Sequence, residues 1–236
     1  MKRPIRALAA LAALVALPVV VFAADHGDSP TAAATEEPTA DLTDLYAWMS
    51  ADATRLNLIA AVNSDAGPNA TFSDAVTYVF SVSSSQGYGQ PQESTRIICK
   101  FIEEKSIECW AGADYVFGDP SDPAGIVSDS GGFRVFAGLR DDPFFLEYTG
   151  FAAAVTEAVR AVGADEVSFD EQRCPLLTPA QGAGLRGLLA SGAEGAPATN
   201  TFAGQRVLAL VLQVDKSIVD GNGPVLGVSV STHAGN

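Results

Sequence analysis

A chain of 236 residues with 28 acidic and 14 basic side chains, 22 Gly, 13 Pro and only 3 Cys is neither collagen-like, nor a coiled coil, nor a disulfide-dense mini-protein. Its formal net charge of −14 repels nucleic-acid phosphates and anionic headgroups, so nucleic acid is excluded as a partner, whereas cations and basic partners are attracted. A chain of this length buries roughly 70% of its unfolded surface and supports one sizeable core.

Lys2, Arg3 and Arg6 precede an apolar run from Ala7 to Phe22 that ends in Ala23 and Ala24, which are the three parts of a secretory signal peptide over residues 1–24. Its removal takes away three basic groups and no acidic one, leaving a still more acidic mature chain. Beyond it, no apolar run approaches the ~20 residues needed to span a bilayer, and no Cys follows the cleavage point to carry a lipid. The expectation is an exported protein, periplasmic or extracellular, with no transmembrane segment in the mature chain. Residues 25–40 are rich in Ala, Thr, Pro and Glu without apolar periodicity and read as an extended arm. A single β-rich domain over 41–236 should follow.

Strand-like runs occur at Arg55 to Val62, Ala75 to Val82, Arg96 to Trp110, Phe133 to Ala137, Arg206 to Val214 and Val225 to Ser231. In the second, Val76, Tyr78, Phe80 and Val82 share one face and smaller residues the other, as in a sheet packed on a core. Turn-rich connections at Asn63 to Thr71 and Gly112 to Gly132 favour antiparallel pairing. Asp220-Gly221-Asn222-Gly223 has the residue types of a tight hairpin between the last two runs. Phe151 to Val162 places apolar residues at helical spacing, and a second helix should start at Thr178 with Pro179 in its first turn and end near Gly192. The predicted fold is therefore mainly β: an antiparallel, sandwich-like single domain with a small helical insertion at about 149–203.

Within the Arg96 to Trp110 run, a three-residue loop, Glu103-Glu104-Lys105, sets Cys99 opposite Cys109 across a hairpin, which favours a disulfide between them. Cys174 has no nearby partner and reads as a buried, inert thiol.

Three segments occur in a particular order: Asp25-His26-Gly27-Asp28-Ser29-Pro30 followed by Asp41-Leu42-Thr43-Asp44-Leu45-Tyr46-Ala47-Trp48; Arg140-Asp141-Asp142-Pro143-Phe144; and Gly223-Pro224-Val225-Leu226-Gly227. Together they resemble a bacterial exported family known only as domain of unknown function 4331. Its members open on a Ser-Ser-His-Arg-Glu-Ala-Pro-like stretch and carry Asp-x-Thr-Asp-x-Tyr-x-Phe, Arg-Asp-Asp-Pro-Phe and Gly-Pro-Val-(Ile/Leu)-Gly in that order. The resemblance implies an exported, mainly β protein and no particular activity. Gly27-Asp28 stands where Arg-Glu is usual, and Trp48 where Phe is common.

Tyr46, Arg140, Asp141 and Phe144, which lie in these motifs, are the candidate ligand or structural site. His26, Asp28, Asp41, Asp44 and Asp142 are the candidate metal ligands. Carboxylates drawn together from distant segments repel one another unless a cation or guanidinium compensates. A divalent cation would do so: calcium or manganese from the oxygen ligands, or a transition metal if His26 takes part. The plainer alternative is that Asp41 and Asp44 cap a turn or short helix while Arg140 pairs with Asp141 or another carboxylate. Cleavage after Ala23 would expose Ala24-Asp25-His26, a nitrogen set suited to Cu²⁺ or Ni²⁺, whereas cleavage after Ala24 removes it. Asp114, Asp119, Asp122 and Asp129 lie in a Gly- and Pro-rich stretch of the kind that surface Ca²⁺ sites use, although Asp serves there more simply as a turn former. Trp48, Phe144, Phe145 and Tyr148 would line a groove or, more simply, pack in the core. No Gly-x-Ser-x-Gly elbow is present, and no Gly-x-x-x-x-Gly-Lys or Gly-x-Gly-x-x-Gly loop follows a strand-like run.

The functional expectation is an exported, non-enzymatic protein that binds a ligand or a protein partner, with a structural divalent cation as an option. Two alternatives remain: a metal-assisted hydrolytic enzyme using His26, Asp41, Asp44 and Asp142, and a structural surface component.

Overall fold

The structure is a computed structural model that describes residues 36–64, 66–103 and 105–234. The expected leader, the expected arm as far as residue 35, and with them the candidate ligands His26 and Asp28, lie outside the described residues. A 3₁₀ turn (Pro38–Ala40) leads into β1 (Leu42–Met49), β2 (Arg55–Val62), β3 (Val76–Ser85), β4 (Gln92–Ile102), β5 (Ser106–Ala111), β6 (Asp114–Gly118), β7 (Ile126–Val127) and β8 (Phe133–Asp141). A helical lobe follows, with α1 (Tyr148–Gly163), the short strands β9 (Ser168–Phe169) and β10 (Pro175–Leu176), and α2 (Pro179–Leu189). The chain then completes the sheets with β11 (Arg206–Asp215), the short helix α3 (Lys216–Val219) and β12 (Val225–Ala234).

Two five-stranded antiparallel sheets, ordered β1-β2-β11-β8-β7 and β12-β3-β4-β5-β6, form a β-sandwich. Period-two alternation builds the core between them. Leu58, Leu210, Leu212 and Phe133 from the first sheet meet Tyr78, Phe80, Ile97 and Ile107 from the second, all fully buried. Burial of each such side chain contributes about 1.5–3 kcal/mol. At one end Phe72 stacks on Phe101 with centroids 4.2 Å apart, and Tyr78 meets both edge-on. The Tyr78 hydroxyl donates to the Thr39 carbonyl at 2.8 Å, which satisfies a polar group that would otherwise be costly to bury.

Cys99 and Cys109 face each other in the β4–β5 ladder and are joined by a disulfide. Glu103 supplies the positive φ of the turn between them.

Several expectations are corrected. Residues Asp220 to Gly223 do not close a hairpin, because β11 lies in the first sheet and β12 pairs with β3 in the second. Both faces of β11 are apolar, which suits a central strand with β2 and β8 on its flanks and leaves no free edge for β12. Helix α3, capped by Asp215 accepting from Ser217 N at 3.1 Å, carries the chain across instead. Asp44 caps nothing, since it lies within edge strand β1, whereas Asp41 is the C-cap residue of the 3₁₀ turn through its backbone N–H, which donates to Pro38 O at 3.2 Å, and the side chain of Glu37 caps the start of that turn. The connection predicted from Gly112 to Gly132 contains β6 and β7. Cys174 is exposed rather than buried, since it immediately precedes the two-residue strand β10 in a hairpin whose paired residues are themselves exposed. Trp48, Phe145 and Tyr148 are likewise exposed rather than core residues.

The lobe leaves the sandwich directly after β8 and returns directly before β11. Helix α1 starts at Tyr148, earlier than its apolar spacing indicates, because Glu147 caps it by accepting from Thr149 N. At its start Gly150 is buried, and a Cβ there would run into the carbonyl oxygens of Leu188 and Ser191, so only glycine permits this crossing of the two helices. Helix α2 opens with a capping box between Thr178 and Gln181.

Candidate functional site

Strands β1, β2, β11 and β8 lie side by side, so their outward-facing residues fall into rows across the sheet. One row runs Trp48, Asn57, Gln213, Arg134; the next Tyr46, Ile59, Val211, Phe136; the third Asp44, Ala61, Ala209, Gly138. Large side chains in the second row stand beside Ala61, Ala209 and Gly138 in the third, and this step produces a groove of about 430 Å³. Its floor is Ile59, Ala61, Val207, Ala209 and Val211; its walls include Phe136, Arg134, Arg140, Asp141, Asn57, Gln213 and two prolines, Pro123 and Pro143.

The polar groups of the wall are held in place. Gln213 Nε2 donates to Asn57 Oδ1 at 2.9 Å, and Asn57 Nδ2 donates to the Trp48 carbonyl at 3.3 Å. Arg134 donates to the Ala124 carbonyl. The Arg140 guanidinium lies 4.2 Å from the centre of the Phe136 ring and donates to its neighbour's carbonyl, Leu139 O, at 2.8 Å. The Phe136 ring turns over Gly138, where a Cβ would come within 3.1 Å of it. The expected Arg140–Asp141 ion pair is not formed; Arg140 stacks on Phe136 instead, and no ion pair to a described carboxylate engages Arg134 or Arg140.

The edge of this face carries Asp44 and Tyr46. A one-residue bulge at Thr43 shifts the β1–β2 register between Leu42 and Asp44, which places Asp44 and Tyr46 on the outward rows. Burial, followed by the negative charges of Asp44 and Asp142 and a hydrogen-bonding interaction with Asp44, raises the Tyr46 hydroxyl above its ordinary pKa. The Tyr46 hydroxyl lies close enough to Asp44 to interact but lacks the full geometry of a hydrogen bond. Asp142 is buried and turns the chain out of β8, accepting from Phe144 N at 2.8 Å while its own N–H donates to Gln205 O at 3.0 Å. Phe144 packs on Phe202, with centroids 5.3 Å apart.

The structure therefore brings Asp44, Tyr46 and Asp142 together and places Arg140 and Asp141 at the groove. Asp41 is buried at the head of β1, and His26 and Asp28 lie outside the described residues. Among the described residues no group of three His, Cys, Asp or Glu side chains is arranged to hold a metal ion, so Asp41, Asp44 and Asp142 do not compose a cation site by themselves. Asp119 and Asp122 act as turn formers, accepting from Ser121 N at 2.9 Å and Ala124 N at 2.8 Å.

Sequence reasoning missed the groove floor. The available signal was the apolar character of both faces of β2 and β11, where strands wetted on one side would alternate with polar residues. Comparisons with protein-family models, curated proteins and solved structures found no match. No helix of the described residues is long and apolar enough to cross a membrane.

Proposed function

We propose that this chain is an exported, non-catalytic binding protein whose groove on the outer face of the first sheet takes a small amphipathic anion. The carrying observation is a pair of guanidiniums, Arg134 and Arg140, neither in an ion pair with a described carboxylate, at the wall of an apolar floor. Acidic residues outnumber basic ones two to one in this chain, so two such cations beside apolar surface favour a carboxylate- or sulfonate-bearing ligand. The apolar body would rest on Ile59, Val207 and Val211, with Asn57 and Gln213 offering hydrogen bonds. Export is supported by the basic, apolar and small-residue parts of the leader and by the Cys99–Cys109 bond, which belongs to oxidising compartments; periplasmic and extracellular destinations both fit. The three ordered motifs make membership of the domain of unknown function 4331 family part of this reading.

Titration with 8-anilino-1-naphthalenesulfonate, followed by fluorescence, tests the proposal. One saturable site is expected. Replacing both Arg134 and Arg140 by Ala should weaken it at least tenfold, as expected when hydrogen bonds to a charged group, worth about 1.5–3 kcal/mol each, are lost. Unchanged affinity in the double variant sinks the assignment of the groove.

A further inference from the structure

The helical lobe contains a second cavity, larger than the first and of opposite character. It measures about 740 Å³ and lies between α1, α2 and the β9–β10 hairpin. Its walls are nearly all apolar, with Phe169, Leu177, Leu185 and Leu188 as the large members. The space exists because small residues stand where the helices face it: Ala158 and Ala161 on α1, Ala180 and Gly184 on α2.

Gly184 shows that internal packing does not require this smallness. Unlike Gly150, it meets nothing within 4 Å where a Cβ would stand, and its φ is not positive. A helix-interior glycine costs about 1 kcal/mol relative to alanine, and nothing in the described chain calls for it. Gly187 is equally open, but of the two only Gly184 lines the cavity, where its missing side chain adds to the free space. The rim is acidic. Glu157 lines the cavity, and Arg160 holds both it, at 2.7 and 2.8 Å, and Glu166, at 2.7 and 2.9 Å, so two carboxylates share one guanidinium in a cluster that reaches the cavity through Glu157. Between Tyr148 and Thr201 six carboxylates stand against three guanidiniums.

We infer that the lobe is a second binding site, separate from the sheet groove, which accepts the single alkyl chain of an amphiphile with a cationic head. The chain would occupy the space left by Ala158, Ala161 and Gly184, and the head would remain at the Glu157–Glu166 rim. An anionic head there meets like charge, and this separates the site from the arginine-walled groove.

The probe is dodecyltrimethylammonium below its micelle concentration, titrated calorimetrically into the full mature protein, with dodecanoate as the anionic counterpart. One saturable site is expected, at least tenfold tighter than for dodecanoate, and unchanged in the Arg134→Ala, Arg140→Ala double variant. Gly184→Phe should abolish binding, whereas Gly187→Ala, on the same helix but away from the cavity, should preserve it. If circular dichroism shows Gly184→Phe unfolded, Ala158→Leu blocks the cavity from the opposite helix. Absence of a saturable site, dodecanoate binding as tightly, or full binding in a folded cavity-filling variant each overturn the proposal. A dimer in sedimentation that Gly184→Phe dissociates would also overturn it, assigning the cavity to a second copy of the chain.

Discussion

Glu147 joins two segments 52 residues apart with one carboxylate. It accepts from Thr199 N at 3.0 Å, Thr199 Oγ1 at 3.1 Å and Thr149 N at 3.1 Å, so it both caps α1 and fastens the returning chain to its base. These donors, Thr199 N foremost, lower its carboxyl below the ordinary 4.5. A depressed carboxyl stabilises the fold fully above its unfolded pKa, and that contribution is lost as pH falls through the lower, folded value. Acidification below about pH 4.5 should therefore loosen residues 148–203 before the sandwich, read by limited proteolysis with an acid-active protease. Glu147→Gln should show the same loosening at neutral pH; equal resistance of lobe and sandwich across the range would contradict this. Single residues of the site were legible where a motif drew attention to them, as with Tyr46, Asp44 and Asp142. Arg134, Ile59 and Val211 lie in no motif, and their meeting depends on how three strands align.

The β4–β5 hairpin was readable in advance because a three-residue loop leaves only one register, and that register aligns Cys99 with Cys109. The closed loop spans 10 residues, and a cross-link of that size contributes about 2–3 kcal/mol by restricting the unfolded chain. Replacing both cysteines with Ala should lower unfolding stability by at least this amount, since both side chains are also buried. Denaturant titration measures it, and a change below about 1 kcal/mol would show the bond to be marginal. The β11–β12 connection was misread because turn chemistry is local, whereas pairing is decided by what each strand must bury. Strand β1 escaped notice for a related reason. The bulge at Thr43 breaks its alternation, and two acidic residues at its start resemble capping signals.

At the scale of the molecule, two layers of strands carry the core, while the helical lobe has little of its own: α2 has no buried residue. The lobe's place in the topology has a practical corollary. Asp141 and Arg206 are paired across adjacent antiparallel strands, and the next position outward, Asp142 with Gln205, is still hydrogen-bonded. Everything between them is thus an outsized hairpin loop, a branch grafted at a point where two residues would have sufficed. Replacing 143–204 with Asn-Gly should prune that branch and leave a trunk that unfolds cooperatively with its disulfide intact. It should also lose dodecyltrimethylammonium binding, while collapse of the trunk would show that the graft had become indispensable. If the pruned protein folds, the architecture offers a socket into which other lobes can be spliced.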